Sequence, residues 1–258
     1  MSSKKETYAY LNPQYEWRTT NCKTFGAEGI DEYLYKNYLK NIEKGFYIEC
    51  GAANGIEQSN TAALNFHYGW KGLLIEPNPF QYKNMSKLRH DCFASNCALV
   101  SHEYTEDYIE GFFGTDSRHL QGPLSAAEIK HLLENKEDLD LYNNATADSM
   151  CGQIKTNHDY DEKRHSDPTQ AIQVPAKTLD WVLDSYAIEK ADFFSLDVEG
   201  YELEALKGWS PFKYPIRYVL IETPSESSTE KDIINQYMAQ HHYKIEEEIK
   251  HNTLYSLS

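Results

Sequence analysis

The chain lacks most of what would send a protein to a membrane, a nucleic acid or an oxidising compartment. No apolar run is long enough to span a bilayer, and the opening MSSKKETYAY has no apolar core of a secretion signal. Basic residues are scarce, 25 against 40 acidic ones, and nothing more basic than the Lys4-Lys5 pair interrupts a net charge of −15. Nucleic acids and anionic membranes are therefore poor partners, and neutral acceptors better ones. The five cysteines (Cys22, Cys50, Cys92, Cys97, Cys151) are odd in number and form no C-x-x-C pair, which suits a reducing compartment and argues against zinc. Together these absences predict a soluble, cytoplasmic protein. No internal repeat or low-complexity segment divides the 258 residues, a length that fits one α/β domain with a sizeable core.

What is present is concentrated in residues 45–76, GFYIECGAANGIEQSNTAALNFHYGWKGLLIE. Phe46, Tyr47, Ile48 and Cys50 are apolar on both faces apart from Glu49, as in a buried parallel strand. Gly51 and Gly55 then frame a turn of small residues, Ala52, Ala53 and Asn54, against which a ligand can lie close to the main chain. Ser59, Asn60 and Thr61 supply capping side chains for a helix starting at Ala62, and Gly72–Ile75 reads as a second strand closed by Glu76. The interval from Gly55 to Glu76 resembles the roughly 20 residues between a glycine turn and a ribose-binding acid. A diphosphate cofactor would need G-x-G-x-x-G, but the middle glycine is missing and Glu49 would repel the phosphates. The cationic sulfonium of S-adenosylmethionine suits Glu49 better. Alone, the turn is equally compatible with any strand–helix junction.

Residues 191–209, ADFFSLDVEGYELEALKGW, repeat the pattern: a strand over Phe193–Leu196, Asp197 and Glu199 at its carboxyl end, Gly200 opening a helix and Gly208 ending it. Ligands in open α/β sheets bind at the carboxyl ends of strands, so these acids should face the same crevice as Gly51–Gly55 and Glu76. The simpler alternatives are that Asp197 caps the following helix and that Glu199 complements its dipole.

The stretch 45–82, the R-x-x-x-x-x-x-N-C-A-L-V-S run from Arg89 to Ser101, and VPAKTLDWVLDSYAIEKADFFSLDVEGYELEALKGW together resemble the FkbM family of S-adenosylmethionine-dependent methyltransferases. The resemblance implies an α/β, class I (Rossmann-like) fold: a seven-stranded, mostly parallel sheet with a C-terminal antiparallel hairpin and helices on both faces. It also implies methyl transfer to a hydroxyl of a small or glycan-type acceptor, often a sugar. The residues expected at the cofactor are Glu49, Gly51, Ala52, Asn54, Gly55, Ser59, Asn60, Thr61, Glu76 and Asp197, with Asn96, Ala98 and Ser101 near the adenine. Asp197 is the first candidate for the base that takes the hydroxyl proton, with Glu199 and Glu222 as companions. An ordinary carboxylate is a weak base for an alcohol, so a raised pKa, a metal-activated hydroxyl or a histidine partner is needed. Some sugar methyltransferases bind magnesium at this corner, and Asp197 and Glu222 are the ligands to expect for Mg2+; alternatively Glu222 satisfies a loop amide. The rival classes are an NAD-dependent sugar oxidoreductase and a non-catalytic, methyltransferase-like binding protein.

Along the rest of the chain, residues 1–28 read as an irregular arm, and Asp31–Ile42 has helical spacing suited to a helix on the sheet edge. Asn78-Pro79 starts a helix, Ala94–Val100 reads as a third strand and Tyr104–Phe113 as one or two short strands. Thr178–Tyr186 and Thr229–His241 read as helices, Arg217–Ile221 as a strand ending in Glu222, and Tyr243–Leu257 as a hairpin. From Gly114 to Gln173 the resemblance fades. Ser125 and Glu128 form a capping box for a helix over Ala126–Leu139, and the segment 114–173 as a whole reads as an acceptor lid or a homodimer contact. His158–His165 offers metal-ligand types without a periodic scaffold and reads as a solvated loop.

Overall fold

The computed structural model describes residues 24–112, 153–154, 171–223 and 228–258. The expectations for the arm before residue 24, the helix over 126–139 and the histidine-bearing loop at 158–165 lie outside the described residues.

Strand β1 (Phe46–Cys50) pairs in parallel with β2 (Lys71–Ile75) on one side and with β8 (Ala191–Leu196) on the other. Beyond these lie β3 (Phe93–Ser95), parallel to β2, and β9 (Ile216–Glu222), parallel to β8. The C-terminal hairpin of β10 (Tyr243–Ile249) and β11 (Asn252–Leu257) completes the sheet, with β11 antiparallel to both neighbours. The order is β10-β11-β9-β8-β1-β2-β3, so the direction of winding reverses at β1. That reversal opens a crevice at the carboxyl ends of β1 and β8.

The two-residue period of the strands sorts their side chains onto two faces. Ile48, Cys50, Leu73, Ile75, Phe194, Leu196, Val219 and Ile221 point to one face. There they pack with Leu179, Val182 and Leu183 of α4 (Leu179–Ser185), Leu206 of α5 (Glu202–Leu206) and Ile234 and Met238 of α6 (Ser228–Gln240). Tyr47, Leu74, Phe193, Leu220 and Leu254 point the other way. They meet Ile30 and Leu34 of α1 (Ile30–Leu34), Leu39 of the π turn that continues it (Tyr35–Leu39), Leu64 of α2 (Ala62–Tyr68) and Met85 of α3 (Pro79–Leu88). The first helix thus covers a sheet face rather than an edge. Asn78 caps α3 with its side chain, as the Asn78-Pro79 start predicts, and Thr178 caps α4 in the same way.

The expected third strand divides. The Asn96 amide donates to the carbonyls of Glu76 and Pro77 at 2.7 and 3.0 Å, which turns the chain out of the main sheet after Ser95. Its continuation, β4 (Ala98–Leu99), joins a second sheet with β5 (Tyr108–Phe112), β6 (Gln153–Ile154) and β7 (Ala171–Lys177), in the order β4-β7-β5-β6. This sheet has its own small core of Ala98, Val100, Ile109, Val174 and Ala176. Pro175 interrupts the amide pattern of β7, which hides that strand from sequence reading.

Candidate active site

The two half-sites are joined through backbone. Asp197 N–H donates to the Cys50 carbonyl at 3.1 Å, and Gly51 and Ala52 N–H both donate to the Ile75 carbonyl. Gly51 has φ +77°, and a Cβ there would lie 1.6 Å from the Asp197 carbonyl oxygen. Only glycine lets the ends of β1 and β8 meet this closely. The glycine turn and Asp197 therefore lie side by side at the carboxyl ends of β1 and β8.

Within the turn, Asn54 Oδ1 accepts from the Ile56 and Glu57 amides at 3.0 and 2.9 Å, an Asx-type turn that shapes the loop. Glu76 ties the turn to β2: its Oε2 accepts from Ala53 N–H at 2.7 Å and its Oε1 from Asn78 N–H at 2.8 Å. Burial pushes the Glu76 carboxyl up to about 7, against the pull of those two amides. Each oxygen keeps a second lone pair for a ligand.

Glu49 differs from its expected role. Rather than facing a cationic ligand, its carboxylate is closed in by Ser59 Oγ (2.8 Å), Thr61 Oγ1 (2.6 Å) and Asn60 N–H (2.8 Å), with the Arg89 guanidinium 4.0 Å away. Asn60 reaches across to Ser195 Oγ on β8 at 3.0 Å, and Ser59 Oγ accepts from Ala62 N–H at the start of α2. Burial raises the Glu49 carboxyl while Arg89 and these donors hold it down. Arg89 is fully buried beneath the turn, donating to the Gly55 carbonyl at 2.7 Å and to Tyr47 Oη at 2.6 Å, with its guanidinium 5.3 Å from the Phe66 ring. Sequence reading noticed Arg89 only as the start of a run. Its position after α3, in the segment that returns under the turn, was the signal available.

The acidic half is built around a reversal. Glu199 and Gly200 both have left-handed backbone, at φ 56° and 94°, so the chain doubles back before α5. Glu202 Oε1 thereby accepts from Val198 and Gly200 N–H at 2.9 and 3.2 Å, which pins the reversal, while no side chain caps α5, neither Asp197 nor another. The helix that Gly200 was expected to open starts two residues later, and Gly208 serves close packing, a Cβ there meeting the Val100 carbonyl oxygen at 2.0 Å. Oxygens of Asp197, Glu202 and Glu222 lie within 4.8 Å of one another. Glu202, rather than Glu199, completes this group with Asp197 and Glu222. Burial, and then the adjacent Glu222 carboxylate, hold the Asp197 carboxyl well above the usual range, and burial pushes Glu202 up to about 7. The strand ends thus present a proton-hungry carboxylate beside a crevice lined with small residues.

Of the residues expected near the adenine, Asn96 is half-buried against the Glu76 carbonyl, Ala98 belongs to the core of the second sheet, and Ser101 is buried just beyond β4. No helix among the described residues is long and apolar enough to cross a membrane. A comparison with curated proteins returned no match. The family model described as the methyltransferase FkbM domain matches residues 49–245, from the Glu49 clamp through the acidic group and into β10. That match spans most of the chain and both halves of the crevice, and the protein belongs to the FkbM methyltransferase family.

Proposed function

We propose that the protein is an S-adenosylmethionine-dependent O-methyltransferase acting on a hydroxyl of a small or glycan-type acceptor, in the first place a sugar. The observation that carries this reading is the backbone contact between Cys50 and Asp197, which sets a carboxyl with raised proton affinity beside the glycine turn. The residues present fit the cofactor. The turn 51–55 carries nothing larger than Asn54, and Glu76 keeps lone pairs for two ribose hydroxyls. When bound, S-adenosylmethionine supplies a methyl carbon activated by the adjacent sulfonium. The protein's part is alignment and proton removal.

In this reading Gly51, Ala52 and Gly55 form the cradle, with Ala53 held against Glu76, and the side chains of Glu49, Ser59, Asn60 and Thr61 act as positioning residues through the turn. Asp197 contacts the reacting hydroxyl. With a methyl donor bound, Asp197 would accept the proton that the acceptor hydroxyl loses on methylation. Glu222 and Glu199 shape the field around it, and a hard cation such as Mg2+ on Asp197 and Glu222 would serve the same step by making the hydroxyl more acidic. Ser101 and the turn at Asn96 border the adenine side of a single 1–258 methyltransferase domain; the acceptor lid or dimer contact expected of 114–173 lies for the most part outside the described residues. The free thiols of Cys50, Cys92 and Cys97 support a reducing, cytoplasmic setting.

The reading is tested by thermal unfolding with S-adenosylhomocysteine and with NAD, followed by incubation with labelled S-adenosylmethionine and a panel of neutral sugars. Stabilisation by the homocysteine analogue and label on an acceptor oxygen are expected. Stabilisation by NAD alone would overturn the assignment.

A further inference from the structure

We propose that Asp197, Glu202 and Glu222 bind a small divalent cation of the magnesium or manganese class, with Glu202 as the innermost ligand. The location rests on three carboxylates, Asp197 just after β8, Glu222 at the end of β9 and Glu202 at the start of α5, whose oxygens lie within 4.8 Å of one another. Ligand oxygens on an octahedral cation of this size stand about 3 Å apart when adjacent and about 4 Å when opposite, so a modest contraction closes the group around an ion.

The independent observation is Glu202 Oε2. Glu202 is 1 % exposed, and this oxygen has no hydrogen-bond partner among the described residues, while Oε1 is occupied by two backbone amides. Ionised, Oε2 is a buried charge without a counter-charge; protonated, it is a buried donor without an acceptor. Both states are costly, and a cation shared with Asp197 and Glu222 removes the cost. The charged neighbours acting on Asp197 are themselves acids, Glu222, Glu199 and Glu202. A proton shared between Asp197 and Glu222 neutralises part of this charge, and a bound cation would neutralise the rest. Asp197 and Glu222 are only half-buried, which leaves the crevice side open for water or an acceptor oxygen to complete the shell.

The proposal shares two residues with the functional reading above and rests on it for the cation's use, but cation binding is measured without turnover, so either can fail alone. Full-length protein stripped with chelator is titrated with Mn2+ and bound metal is read by electron paramagnetic resonance, with Mg2+ as competitor. One site displaced by Mg2+ is expected in the wild type. Glu202→Gln retains an oxygen for the Val198 and Gly200 amides and should fold, yet weaken Mn2+ by roughly tenfold or more. Asp197→Asn should weaken it likewise, whereas Glu204→Gln, on an exposed residue paired with Lys207, should not. Absence of a saturable site in the wild type at millimolar metal, or equal Mn2+ affinity in wild type and Glu202→Gln, would overturn the proposal.

Discussion

Glu49 and Glu202 are both carboxylates of an FkbM methyltransferase domain with almost no exposure, 4 % and 1 %, yet the chain surrounds them differently. Glu49 has an arginine, two hydroxyls and an amide around it, so its charge is matched within the protein, although Arg89 Nε has no hydrogen-bond partner among the described residues. Glu202 has two amides on one oxygen and none on the other, beside two further acids. The first arrangement makes a rigid cradle, because a matched buried network has one favourable geometry. The second stores unmet electrostatic demand, the condition under which proton affinity and ligand affinity are raised. In the proposed function, binding falls to the matched side and proton removal to the acidic one.

The largest effect that would sharpen this division is on turnover. Asp197→Asn should keep S-adenosylhomocysteine affinity within a few-fold while methyl transfer falls by about 10²–10⁴, measured by calorimetry and a label-transfer assay. Unchanged turnover would remove Asp197 from the proton-accepting role. Next is the matched side. Arg89→Met leaves Glu49 buried without its cation and should cost about 3–5 kcal/mol in urea unfolding, much of it regained in Glu49→Gln/Arg89→Met. If the single and double variants are equally unstable, the two charges do not act as a pair.

Gly51→Ala should cost about 2–4 kcal/mol, from a left-handed alanine and from displacement of the Asp197 carbonyl, and should weaken the cofactor analogue as well. A variant of wild-type stability would mean the strand ends can part freely. The smallest effect is that of pH on Glu76. Its carboxyl is raised from 4.5 to about 7 in the folded protein, so the folded state without ligand holds this proton more tightly than the unfolded chain. The stability this gives is fully present below about pH 4.5 and lost as pH rises through about 7. Ribose hydroxyls donate to the ionised form, so analogue affinity should rise about tenfold between pH 6 and 8, and Glu76→Gln should flatten that rise. A flat wild-type profile would separate Glu76 from the ribose.

Elements made of neighbours in sequence were legible from the letters. The strand Phe46–Cys50, the helix after Asn60 and the cap at Asn78 each follow from contacts a few residues apart. The seven-stranded, mostly parallel sheet with its C-terminal hairpin came with the family resemblance. What escaped depends on where the chain returns. Arg89 gains its meaning from Gly55 and Tyr47, 34 and 42 residues earlier. Glu202 lay in plain view beside Glu199, but the choice between them is made by a left-handed turn at Glu199, a conformation no residue type there announces. Likewise Ala98 could not be separated from the third strand, because the exit at Asn96 depends on two carbonyls supplied by the end of β2.

The small second sheet, with its private core of Ala98, Val100, Ile109, Val174 and Ala176, has a consequence for how such a protein diversifies. Leu99 of β4 packs into the core beneath the main sheet, but these five residues do not, so they can be exchanged with little effect on that larger core. Variation at Val100, Ile109 or Val174 would thus reshape this annex while the parallel strands beside it keep their packing.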